Sequence, residues 1–272
     1  MGKLLTPRWI LTTLLVIAGV GVLIRLGIWQ LDRLAWRKSF NERASTQMVA
    51  PLLDLNREIA VDDLYDMEYR SVQVSGVYDF SQEVLLRNQV WDGRLGYRVL
   101  TPLLIEGNPQ VVLVDRGWIP FNQAAYPERK DFEEPGRVTL FGMIRRPQEK
   151  AEIGGVPDPT LAPGENRLEA WNVVNVLRIE QQSGLDLLPV WIQQAPDTGW
   201  TGMPYRALPE IEITEGPHWG YALQWFTFAA ILGFGYPVFL KRQLHSRREK
   251  ENLEQEGNQG LNASSNTEKR HA

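Results

Sequence analysis

The chain contains no cysteine. That excludes disulfides, thiolate metal sites, zinc ribbons and cysteine nucleophiles, so a domain in an oxidising compartment must rest on a hydrophobic core. Histidine is almost as scarce: besides His218 there are only His245, in a basic segment, and His271, in a polar tail. The stretch from residue 30 to 216 has none, which removes the usual general base, most metal sites and any Ser-His-Asp arrangement. There is no Walker loop and no G-x-G-x-x-G. The five methionines are scattered, which disfavours a soft-ligand copper site. A net charge of −4 gives no basic excess for a nucleic-acid partner. Acidic pairs such as Asp62-Asp63 and Glu133-Glu134 read as solvated loops, and the whole inventory points away from an enzyme.

What the chain does have is two long apolar runs. Trp9 to Ile24 carries no charge, and Arg25 is followed by Leu26-Gly27-Ile28-Trp29; Trp219 to Leu240 carries none at all. A spanning helix needs about 20 mostly apolar residues. The second run meets that alone, and the first does if Arg25 snorkels to the interface. A cleaved signal peptide is the rival for the first run. Its apolar stretch is longer than the usual 7–15 residues and no small-x-small site follows, so an uncleaved anchor is expected. No Arg/Ser-rich transit segment precedes it, which points to a bacterial cell membrane.

Lys3 and Arg8 precede the first run, while Lys241, Arg242, Arg247, Arg248 and Lys250 follow the second. Both termini are therefore expected in the cytoplasm, despite Arg33, Arg37, Lys38 and Arg43 on the other side, because long domains translocate largely regardless of charge. The expected organisation is a cytoplasmic N-terminus (1–8), a first transmembrane helix (9–29), a periplasmic domain (30–216), a second transmembrane helix (217–240) and a cytoplasmic basic segment with a disordered polar tail (241–272).

Within the middle domain, Trp29, Arg33, Trp36, Arg37 and Phe40 keep helical spacing, predicting a helix that leaves the membrane and runs to about Met48, before Pro51. Such a face can be a row of interfacial anchors, or a stalk whose Arg33 and Arg37 meet carboxylates of a partner or cofactor. Strands are predicted at 69–78, 83–90, 96–105, 110–115, 137–145 and 189–193, with a helix at 172–183 and long loops at 120–136 and 147–170. The fold class is α+β: two transmembrane helices flanking an antiparallel β-rich extracytoplasmic domain.

Two places carry candidate chemistry. At the mouth of the second run, His218, Tyr221 and Trp225 fall at i, i+3 and i+7, on one helix face after Pro217. These residues suit an interfacial anchor belt; they also suit a haem site, with His218 as axial ligand to the iron and the aromatics beside the macrocycle. Ala229 and Gly233 form a small-xxx-small pair, for which Ala18, Gly19 and Gly21 of the first run are the matching surface. The run Asp115-Arg116-Gly117-Trp118-Ile119-Pro120 ends an apolar strand. It reads as strand-end punctuation, or as an exposed Arg116-Trp118 pair that recognises a partner.

Taken together, several stretches resemble the surfeit locus protein 1 family of membrane-bound cytochrome c oxidase assembly factors. They are Gly27-Ile28-Trp29-Gln30-Leu31-Asp32-Arg33-Leu34-Ala35-Trp36-Arg37-Lys38, Gly96-Tyr97-Arg98-Val99-Leu100-Thr101-Pro102, Val112 to Pro120, and His218 with Tyr221-Ala222 and Trp225-Phe226. The resemblance spans about residues 9–240. It implies a non-enzymatic factor that binds haem a through His218 and assists its insertion into oxidase subunit I, with haem a synthase and membrane lipid as further partners. This chain has Asp115 where the family usually has Asn, Gly216 where Asn commonly precedes Pro-His, and Trp219-Gly220 for the common Leu-Gln. Two other functions are kept open: a scaffold that binds subunit I without haem, through Arg33, Arg37, Arg116 and Trp118, and a membrane-anchored sensor of a small periplasmic ligand.

Overall fold

The computed structural model describes residues 7–57, 61–125, 127–151, 154–161, 164 and 167–268; at 61, 62, 247, 248 and 250–268 it describes the backbone only. The basic residue Lys3, the side chains of Arg247, Arg248 and Lys250, and His271 therefore lie outside what is described. The chain divides into two compact units, one made of the residues up to Phe40 with those from Thr214 onward, the other of Asn41–Ile213.

The first unit is a pair of helices, most of α1 (Pro7–Val49) and all of α4 (His218–Glu268). Both have apolar windows long enough to cross a membrane, and only 6% of each window is buried inside the chain, which a core helix of a water-soluble domain would not tolerate. At 1.5 Å per residue α1 is about 65 Å long, roughly twice the hydrocarbon core, so its C-terminal half is the predicted extension beyond the lipid. The two helices run antiparallel. Thr13 Oγ1 and Tyr236 Oη share a hydrogen bond of 2.7 Å near one end, and Lys38 faces Glu215 at 3.6 Å near the other. Between these, small residues set the spacing: Ala222 and Ala229 are buried, and a Cβ on Gly19 would meet Leu232 at 3.4 Å. The tightest approach is at Gly27, where a Cβ would stand 2.6 Å from the Phe226 ring. Gly21, expected in this seam, has nothing within 4 Å.

Where composition predicts a disordered tail, the α4 backbone continues as helix through Glu268. The Glu, Gln, Lys and Arg of this segment are good helix formers, so low hydrophobicity does not by itself end the helix.

The second unit is built on one eight-stranded sheet. Its strands are β1 (Leu53–Asp54), β2 (Ser71–Tyr78), β3 (Val84–Trp91), β4 (Arg94–Ile105), β5 (Val111–Pro120), β6 (Arg137–Arg145), β7 (Ala170–Trp171) and β8 (Leu187–Gln194). Their order is β1-β2-β6-β8-β5-β4-β3-β7 with an additional β2–β4 pairing. That pairing closes β2, β6, β8, β5 and β4 into a barrel, while β3 occupies the rest of the β4 edge. The pairings are antiparallel except β1–β2, β3–β7 and β5–β8. The short helices α2 (Val61–Leu64) and α3 (Val176–Ser183) complete the domain. Asn175 caps α3 by accepting from the Arg178 amide, and Gly184, at φ +71°, ends it.

The apolar run of β5 has a simple cause. Successive side chains point to opposite faces, and here both faces are covered. Val112 and Val114 join the barrel interior with Val72, Val74, Leu103, Leu140 and Ile192, while Val111 and Leu113 pack with Trp191 and with Val176 and Ile179 of α3. The strand does not stop at Asp115. It runs to Pro120 across a β-bulge: Val99 pairs with Gly117 and Leu100 with Asp115, so Arg116 is the extra residue.

Candidate functional site

The mouth of α4 is shaped by three residues before the aromatic run. Gly216 has φ +67°, a left-handed conformation that glycine and asparagine tolerate best, so the exchange of Asn for Gly noted at this position keeps the turn. Pro217 presets the backbone, and its carbonyl accepts from the Tyr221 amide at 3.2 Å to close the first helical turn. His218 then opens the helix, half-buried, and its Nδ1 lies 2.8 Å from Oε1 of Gln30 on α1. Gln30 is 9% exposed. One helical turn back along α1, Gly27 receives the Phe226 ring, which lets the two backbones come close enough for the amide to reach the imidazole.

The structure thus brings His218 to Gln30, a neighbour that periodicity along one helix did not show. Gln30 carried a signal all the same: an uncharged amide three residues after a glycine, on the seam side of an apolar helix. Tyr221 and Trp225 keep the spacing that places them on the His218 side of α4. Tyr221 is 49% exposed, pointing away from the Ala222 seam, while Trp225 is half-buried and meets Phe228 edge-to-face at 6.2 Å. Among the described residues His218 Nε2 has no hydrogen-bond partner, which leaves that nitrogen as the one able to ligate a metal. No group of three or more His, Asp or Glu side chains that could hold an ion occurs among them.

The α1 extension presents an aromatic and basic face. Trp29 and Trp36 are each about half exposed, the Arg33 guanidinium lies 5.1 Å over the Trp36 ring, and Trp36 stacks on Phe40 at 5.9 Å. Among the described residues neither Arg33 nor Arg37 forms an ion pair.

Arg116 and Trp118 do not form the exposed pair expected of a recognition surface; they are 1% and 2% exposed. The bulge turns Arg116 into a buried charge network. Its Nη1 donates to Glu83 Oε2 at 3.1 Å, its Nη2 donates to Glu134 Oε1 at 3.1 Å and to the Phe132 carbonyl, and its guanidinium lies 5.0 Å over the Tyr78 ring. Glu83 also accepts from Thr101 Oγ1 at 2.6 Å and pairs with Arg129 at 3.0 Å. Arg206, wholly buried, joins Glu134 to Asp197 and donates to the Arg116 carbonyl. Glu134 is therefore a network member, not the solvated loop residue its sequence context suggests. Trp118 donates from Nε1 to the Gln89 carbonyl at 3.0 Å and stacks on Tyr205 at 6.1 Å, which in turn stacks on Trp91. Beside the bulge, Asp115 accepts from Arg98 at 2.6 Å and from the Gly117 amide at 3.0 Å.

Burial pushes the carboxyls of Glu83 and Asp115 above their ordinary values, with Thr101, Arg116 and Arg129 pulling Glu83 back and Arg98 pulling Asp115 back. A carboxyl whose pKa is raised on folding contributes stability below its unfolded value, and that contribution is lost as pH rises through the folded value. Glu83→Gln mimics the neutral acid. The stability of the wild type relative to this variant is expected to fall as pH is raised from the acidic range, and urea unfolding at several pH values measures it. A difference that grows with pH would show that the arginines outweigh desolvation.

The profile of the SURF1 family matches residues 17–230, which takes in most of α1, the whole barrel and the first 13 residues of α4. An uncharacterised SURF1-like protein of Mycobacterium tuberculosis (strain ATCC 25618 / H37Rv) is 25% identical over 248 residues, covering 90% of this chain and 88% of that one. A SURF1-like protein of Monosiga brevicollis is 28% identical over 235 residues, covering 80% and 83%. The cytochrome oxidase assembly protein SHY1 of Saccharomyces cerevisiae is 23% identical over 163 residues, covering 58% of this chain and 40% of its own length. The chain belongs to the SURF1 family.

Proposed function

We propose that this chain is a non-enzymatic assembly factor for cytochrome c oxidase, which holds haem a at the mouth of α4 and assists its insertion into oxidase subunit I. The observation that carries this reading is His218: a half-buried imidazole, tied at Nδ1, with Nε2 unpartnered among the described residues. The similarity to the yeast cytochrome oxidase assembly protein supports the assembly role. The donor set fits the group. One neutral nitrogen among apolar and aromatic side chains suits haem iron, and the absence of cysteine leaves no thiolate to compete.

When bound, haem would supply an iron able to accept an imidazole nitrogen. The chain's own residues do the rest. His218 offers Nε2, Tyr221 and Trp225 flank the site and exclude water, and the close packing of Gly27 on Phe226 fixes the helix that carries the imidazole. No second histidine lies in either apolar run, so His218 is the one imidazole there that would hold the group. In this reading Lys241 and Arg242 mark the cytoplasmic end of the apolar run of α4, and His218 sits at the outer, periplasmic face of a bacterial cell membrane. Subunit I is the receiving partner and haem a synthase the supplying one.

The exposed Trp29, Arg33 and Trp36 face favours a second reading, a scaffold that docks on subunit I without touching haem. The two separate in a strain lacking this protein. Loss of haem a from a subunit I that still accumulates supports delivery, whereas loss of subunit I with normal haem in what remains supports the scaffold.

A further inference from the structure

We infer that Gln30 is a positioning residue for His218: its side-chain carbonyl accepts the Nδ1 proton, fixing the tautomer and ring angle that leave Nε2 as the ligating nitrogen. This rests on the haem reading above and deepens it.

A neutral imidazole has one N–H and one acceptor nitrogen, and which is which follows from the hydrogen bond that one of them makes. Here Nδ1 is 2.8 Å from Gln30 Oε1. An amide oxygen accepts only, so Nδ1 carries the proton and the lone pair lies on Nε2. Gln30 can do this because of where it is. It is 9% exposed, on the seam of α1 against α4, and the Gly27–Phe226 contact one turn away holds the two backbones together. On the other side Cδ2 and Nε2 face Gly216, where a Cβ would stand 3.4 and 3.5 Å away and the bare glycine leaves that space open. The hydrogen bond also polarises the ring. An acceptor on the distal N–H of a ligating histidine raises ligand basicity, and its loss commonly lowers metal affinity by about 10–100-fold.

The acceptor is an amide and not a carboxylate. A neutral acceptor orients the ring while leaving the nitrogen weakly enough polarised for the ligand to be given up.

The test uses the full chain in detergent or nanodiscs, in two stages. First, without haem, the nitrogen-15 chemical shifts of histidine-labelled protein in mildly alkaline buffer report the tautomer, with His218→Ala assigning the signal. The wild type is expected to show the proton on Nδ1, and Gln30→Leu to show a mixture. A wild-type proton on Nε2, or no change in Gln30→Leu, overturns the proposal whatever happens with haem. Second, the proteins are co-expressed with haem a synthesis. Gln30→Leu is expected to retain on the order of 10–100-fold less haem. Gln30→Glu is expected to retain haem, which shows that the helix pair still forms, with a midpoint potential shifted negative by the stronger acceptor. Normal haem and potential in both variants would remove Gln30 from the site. If the wild type carries no more haem than His218→Ala, the haem reading fails, and the first stage still decides what Gln30 does to His218.

Discussion

Replacing His218 with alanine is expected to abolish haem retention by protein co-expressed with haem a synthesis, down to the level of a preparation lacking the cofactor. The size of the effect follows from how little else can substitute. His245 is the other histidine whose side chain is described; it is largely exposed, faces Glu249 at 3.4 Å, and lies about 40 Å further along α4. There is no thiolate, and among the described residues no carboxylate cluster replaces an imidazole. The measurement is the optical and resonance Raman spectrum of the purified pair. A variant with an unchanged spectrum removes His218 from the site and leaves the scaffold reading. Tyr221→Phe and Trp225→Leu should weaken retention without abolishing it, because flanking side chains contribute contact area and water exclusion but no bond to iron. Weak occupancy in the wild type agrees with a carrier, provided His218→Ala removes what there is.

Arg116→Leu is expected to lower the unfolding free energy of the barrel domain by about 3–5 kcal/mol near neutral pH, since one partner of a buried ionic network is removed and the others stay. Against a typical total of about 5–15 kcal/mol this is a large fraction. Glu83 would keep Arg129 and Thr101 but lose its Arg116 donor, and the Phe132 carbonyl and Glu134 would each lose one. The cost should shrink in acid, because Glu83, already pushed up by burial, takes a proton more readily when a guanidinium is gone. Arg116→Lys retains the charge without the planar fork and should fall between. Urea unfolding of the full chain, followed by tryptophan fluorescence, reads all three. A loss under about 1 kcal/mol would mean that the network is not holding the bulge.

The contrast between these two predictions follows from what each residue's sequence context could say. His218 was conspicuous because histidine is rare and because it opens an apolar run with aromatics at helical spacing. The run at Arg116 and Trp118 reads as strand-end punctuation, or as a surface pair, because a strand that meets charge, glycine and proline normally ends. The bulge at Arg116 defeats that inference: one extra residue lets β5 continue, and the charged side chain is turned inward to partners from residues 83, 132 and 134. Two-residue strands such as β1 and β7 had no periodicity to reveal them, since two residues cannot show alternation. Arg33 is exposed and Arg37 half-buried on the helix that their spacing predicts.

By itself the sequence determined the architecture: two apolar helices, a long extension of the first, and a β-rich domain between them. Those features depend on local composition and period, which are set by steric and hydrophobic rules acting over a few residues. Only the tertiary structure decided that the barrel closes through β2 and β4, that Arg116 is interior, and that Gln30 stands against His218 from 188 positions away. Closure and contact are pairings between distant segments. They depend on register and on small residues such as Gly27 admitting a neighbour, and a pattern read along one strand or one helix carries no information about what packs across from it.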